Sequence, residues 1–110
     1  FRRVLFRSLA HITGGGLFEN LPRVLPAGVT AKIEKKTWEF PPLFKWIRDK
    51  AEITEEDMLK TFNCGVGMIA VLPTSNVNKV QTHLKSKGLK SWSIGKIETQ
   101  SDHQTSVEWK

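Results

Sequence analysis

Val29, Ala31 and Ile33 alternate with Thr30, Lys32 and Glu34, the period of two that lays one face of a strand on a core. Leu9 to Ile12 reads as a short strand, and Leu17 to Leu21 as a brief helix that Pro22 must end or kink. Pro41 and Pro42 suit the first turn of a longer helix, whose Leu43, Phe44, Trp46, Ile47 and Ala51 form an apolar stripe near the 3.6-residue period. Thr54 then predicts an N-cap, with Glu55, Glu56 and Asp57 set against the positive end of the next helix dipole. The unbroken apolar run 66–72, bounded by Asn63 and Pro73, predicts a central strand covered on both faces. Val77, Val80 and Leu84 mark a helix that Gly88 can close with a left-handed cap. Two last strands, over 91–98 and 105–109, suggest a hairpin around the polar turn 100–104, with a bulge at Gly95 where the alternation of Trp92 and Ile94 loses register. With no internal repeat, low-complexity tract or linker, the pattern describes one compact α+β domain.

At 110 residues the chain has room for one small domain. Of its formal net charge of +6, Arg2, Arg3 and Arg7 contribute three, which leaves +3 over residues 9–110. That is too modest and too dispersed to argue for nucleic acid. Residues 1–8, with those three arginines and no acidic partner, read either as a cloning or sequencing scar or as a strand in which Val4, Leu5 and Phe6 pair. Cys64 is the only cysteine, so no internal disulfide or cysteine-rich zinc motif can form. No apolar run reaches the roughly 20 residues that span a bilayer. The expectation is a cytoplasmic protein without a membrane partner.

The chemistry concentrates in Thr13-Gly14-Gly15-Gly16, three consecutive glycines between a strand and a helix start. Such a turn reaches positive φ, lets a ligand approach the backbone, and leaves N–H groups open to an anion, phosphate above all. Asn20 can donate and accept through its amide, and Arg23 can clamp phosphate with its planar fork. The structural alternatives are a turn or capping role for Asn20 and an ion pair with Glu19 for Arg23. Asn63, Gly65 and Gly67 form a second motif, either facing a cleft or giving room for a strand beneath a helix. Cys64 between them reads as a small buried residue rather than a nucleophile. The lysines 79, 85 and 87 read as a solvated helix face, the four tryptophans as core or interface, and the three histidines show no metal spacing.

Ala10 through Arg23, taken with Thr61-Phe62-Asn63-Cys64-Gly65-Val66-Gly67-Met68, and with Trp38 and Pro42 to Ile47 between them, resembles the aminoimidazole ribonucleotide synthetase (phosphoribosylformylglycinamidine cyclo-ligase) family. The resemblance runs from about Leu9 to Ile97 and falls in the C-terminal domain of that family. It implies a mixed β-sheet with packed helices, the second half of a truncated domain, over residues 9–110. It also implies an ATP-dependent ligase of purine biosynthesis that converts formylglycinamidine ribonucleotide to aminoimidazole ribonucleotide and releases ADP and phosphate. ATP and magnesium would be held mainly by an N-terminal domain absent from this chain, so the chain alone is expected to be inactive. The longer enzyme is expected to be a homodimer. Thr13, Gly14, Gly15, Gly16, Asn20 and Arg23 become candidate substrate or phosphate ligands, Asn63, Gly65 and Gly67 candidate cleft-lining residues, and His11 a candidate for hydrogen bonding the substrate or assisting proton transfer.

Two other classes stay open at this stage. One is a non-catalytic module for nucleotide or RNA phosphate, which would lose affinity steeply with salt. The other is a domain that only mediates subunit contact.

Overall fold

A computed structural model describes residues 8–101 and 103–110. The reading of residues 1–8 as a scar or a strand therefore lies, apart from Ser8, outside the described residues. Five strands and four α-helices follow one another: β1 (Ser8–His11), α1 (Gly16–Asn20), β2 (Val29–Ile33), α2 (Pro42–Ala51), α3 (Glu55–Thr61), β3 (Met68–Val71), α4 (Val77–Ser86), β4 (Gly95–Thr99) and β5 (Ser106–Trp109). Short 3-10 turns over Pro22–Val24, Lys35–Thr37 and Thr74–Asn76 link some of them.

The strands form two sheets. β1 and β3 pair antiparallel, His11 opposite Met68 and Ser8 opposite Val71. In the second sheet β2 lies in the middle, antiparallel to β4 and parallel to β5. The fold is thus α+β with a mixed sheet, as the sequence pattern and the resemblance both indicate.

Three expectations about the strands fail. The last two strands do not form a hairpin, because β2 is inserted between them. The polar segment after β4 wraps the start of β2: Gln100 N–H donates to Gly28 O at 2.9 Å, and Gly28 N–H to His103 O at 3.1 Å. Nor is the apolar run 66–72 a central strand, since only Met68–Val71 joins a ladder and β1 is its one described neighbour. Ile69 points into the core while Met68 stands 58 % exposed. An apolar run records attraction to a core but not how many strands lie beside it. The bulge at Gly95 is also absent, for the β2–β4 register runs unbroken from Val29 opposite Thr99 to Ile33 opposite Gly95. Glycine is needed there for approach: a Cβ at residue 95 would fall 1.9 Å from Lys32 O.

The helices follow the pattern more closely. Thr54 caps α3, its hydroxyl accepting from Asp57 N–H at 3.1 Å, a contribution of about 1 kcal/mol. On α2 the stripe divides into two rows. Phe44 and Ile47 pack against the core, whereas Leu43 and Trp46, one row over, stay exposed. The core is densest where α1 meets α3, with Leu17, Leu21, Met58, Leu59 and Cys64 fully buried. That contact fixes the glycine turn on the end of α3.

Candidate functional site

The chain leaves β1 at His11 and is held immediately, Ile12 N–H donating to Gly67 O at 3.0 Å. This bond joins the two sequence motifs. The glycine turn follows, with Gly16 N–H donating to Thr13 O at 3.0 Å and with φ of 92° at Gly15 and 65° at Gly16. Asn20 is buried beneath the turn, and its Nδ2 donates to Thr13 O and Gly14 O, each at 3.2 Å, and to Gly16 O at 2.8 Å. Two amide hydrogens shared among three carbonyls make this side chain the organiser of the turn.

That arrangement has an electrostatic consequence. In a trans peptide the C=O and the following N–H point in opposite directions. Drawing the carbonyls of Thr13 and Gly14 onto Asn20 therefore turns the N–H groups of Gly14 and Gly15 to the other side of the loop. Gly14 is exposed, with no atom within 4 Å of where its Cβ would stand. Gly15 faces a carboxylate: a Cβ there would meet the Glu19 side chain, Oε1 of which is bound by Arg23 Nη2 at 2.6 Å. Gly16 serves packing, since a Cβ there would fall 1.9 Å from Leu59 O.

The second motif is mostly structural. Asn63 Oδ1 accepts from Gly65 N–H at 2.9 Å, closing a turn in which Cys64 and Gly65 take φ of 51° and 96°. The Cys64 carbonyl accepts from Trp38 Nε1 at 3.1 Å, and a Cβ on Gly65 would strike the Pro41 ring at 2.7 Å. Gly67 is exposed, with open space where a Cβ would stand. The geometry thus gathers His11, Thr13, Gly14 and Gly67 on one exposed edge. It places Asn20 and Gly16 beneath that edge, leaves Arg23 beside it on Glu19, and uses Asn63 and Gly65 to shape the neighbouring turn. Met68, opposite His11 in the ladder, shares the exposed edge. Sequence reasoning missed it by assigning it to a strand covered on both faces.

Cys64 is fully buried, and burial pushes its thiol up from the ordinary value to about 11. We expect no reaction with a thiol-specific disulfide reagent at pH 8 in the native protein and full reaction in denaturant; rapid native labelling would contradict this burial. Among the described residues no three His, Cys, Asp or Glu side chains group to hold a metal ion, and no helix is long and apolar enough to cross a membrane.

Residues 2–108 match the family model described as AIR synthase related protein, C-terminal domain. The chain belongs to this family. This AIR synthase related C-terminal domain is 45 % identical over 94 residues to the phosphoribosylformylglycinamidine cyclo-ligase of Methylobacillus flagellatus, covering 86 % of this chain and 27 % of the relative. To the protein of the same name from Nitrosospira multiformis it is 46 % identical over 99 residues, 90 % of this chain and 28 % of that relative. The domain therefore spans little more than a quarter of the length of the curated relatives it matches.

Proposed function

We propose that this chain is the C-terminal-domain portion of an ATP-dependent cyclo-ligase that closes formylglycinamidine ribonucleotide to aminoimidazole ribonucleotide in the cytoplasm, and that it supplies the glycine-rich phosphate-binding edge of the cleft. The observation that carries the reading is the hold of Asn20 Nδ2 on the Thr13 and Gly14 carbonyls, which turns the Gly14 and Gly15 N–H groups to the opposite side of the loop, in a chain 45 % identical to a protein named for that activity. ATP, as co-substrate, supplies the phosphoryl group that activates the amide oxygen. The residues of this chain bind and orient. Two N–H groups meet the oxygens of a phosphate, either that of the ribose or the group in transfer, joined by the Thr13 hydroxyl when it turns from its long 3.4 Å bond to Asn20 Oδ1. Glu19 already lies against the turn as an internal anion, and an incoming phosphate replaces it as the partner of Arg23. That exchange needs little energy because both side chains of the pair are more than half exposed. His11, exposed on the same edge, is placed to donate to the substrate or carry a proton. Magnesium would enter with ATP. In the homodimeric full-length enzyme the remaining polypeptide holds the nucleotide.

Gly14→Leu in the full-length enzyme tests the reading. Its side chain enters open space, so the melting temperature should stay near that of the parent. Cyclisation should fall about 10-fold or more as a charge-assisted bond of roughly 1.5–3 kcal/mol is blocked. Parent-like kinetics would remove the cradle.

A further inference from the structure

Charge is segregated along this chain. Between Asp57 and Glu98 there is no acidic residue, while Lys60, Lys79, Lys85, Lys87, Lys90 and Lys96 all fall there. Two of these lysines, Lys85 and Lys90, line one groove on and after α4. Asn78, Thr82 and Lys85, at i, i+4 and i+7, share one face of that helix. Gly88, at φ 79°, then reverses the chain, with Gly88 N–H donating to Lys85 O at 3.0 Å and Leu89 N–H to Leu84 O at 2.9 Å. The segment 88–91 runs back beside α4 as a second wall, and the open groove between them has a volume of about 630 Å³. Leu89, 57 % exposed, lines it together with Lys85 and Lys90.

The lysines here are uncommitted. Among the described residues Lys79, Lys85, Lys87 and Lys90 make no ion pair, whereas Lys32, Lys45, Lys96 and Lys110 each hold a carboxylate. The groove contains an apolar contact point ringed by cations and neutral amide or hydroxyl groups, and no carboxylate competes within it.

We propose that this groove docks an acidic segment of a partner protein, its carboxylates meeting the lysines and an apolar side chain between them covering Leu89. Single-stranded nucleic acid is the poorer match, because the groove offers no aromatic ring for base stacking and no guanidinium fork for phosphate. Exposed lysine–carboxylate pairs contribute little individually. Selectivity therefore rests on Leu89, with the lysines supplying attraction and salt dependence.

The test uses the full-length protein and a fluorescent peptide, Glu-Glu-Glu-Leu-Glu-Glu-Glu, read by anisotropy at low and high salt. Saturable, salt-sensitive binding is expected. It should weaken about 10-fold when the central Leu of the peptide is Gly, or when Leu89→Ser is introduced, as one buried leucyl contact is lost. Lys85→Glu with Lys90→Glu should abolish it with no change in melting temperature or cyclisation rate, which keeps this outcome separate from that of the glycine edge. Equal affinity for the Gly peptide, tighter binding of polyuridylate, or the same loss on Lys35→Glu with Lys36→Glu would overturn the proposal.

Discussion

Gly16→Ala should cost on the order of 2–5 kcal/mol of folding stability, a large part of the total of a domain that is commonly stable by about 5–15 kcal/mol. Two independent terms add. The new Cβ would lie 1.9 Å from Leu59 O and 2.7 Å from Leu59 C, backbone atoms that move only if α3 moves, and overpacking of this kind costs about 1–3 kcal/mol. The left-handed φ of 65° adds about 1–2 kcal/mol for any residue with a side chain. Gly14→Ala is the matched control. It places the same methyl in open space and should change stability by no more than about 0.5 kcal/mol. Denaturant unfolding of the two variants against the parent reads the difference directly. Equal losses would mean that the glycines act as one flexible unit rather than as a buried contact and an open approach.

Asn20→Ala should destabilise by about 2–3 kcal/mol, because a buried amide that holds three carbonyls disappears and Gly16 O loses its 2.8 Å donor. The more revealing substitution is Asn20→Asp. An ionised carboxylate at that position would face the oxygens of Thr13, Gly14 and Gly16 with no hydrogen to offer. Burial and those oxygens raise the acid's folded pKa above its unfolded value of about 4, outweighing the long 3.4 Å approaches of Arg23 Nη1 and Thr13 Oγ1 to Oδ1. The unfolded chain then releases its proton first, so stability should fall as pH rises through that value and recover in acid. Urea midpoints between pH 4 and pH 7 check the sign. A variant as stable at neutral pH as in acid would show that Asn20 does not hold the turn.

The contrast between these two residues explains how much of the site was legible in the chain. A glycine triplet after an apolar stretch is visible in any reading, and it indicates a loop where phosphate can approach. It does not say which glycine is open. Gly16 is glycine because the end of α3 arrives against it, and α3 lies some forty residues away in sequence. Asn20 is readable as an amide near a turn, but its two candidate roles differ only in direction, and direction depends on which side is buried. Asn63 and Gly65 were ambiguous in the same way until Trp38 and Pro41 proved to occupy the space beside them.

Local chemistry determined the elements, because capping, proline placement and periodicity act within one or two turns of chain. Thr54 as the cap of α3 and Gly88 as the left-handed close of α4 follow from neighbours in sequence, whereas β2 departs from strict alternation by burying Thr30, whose hydroxyl accepts from Ser106 of β5. Membership of the family was likewise written in the two ordered motifs. Adjacency between distant segments was decided only by the tertiary structure. The insertion of β2 between β4 and β5, the exposure of Met68 on a strand with one described neighbour, and the joining of Ile12 to Gly67 depend on pairings among backbone groups that are chemically alike in every strand. Backbone hydrogen bonds carry no label for their partners, so the choice falls to the burial of side chains across the whole core.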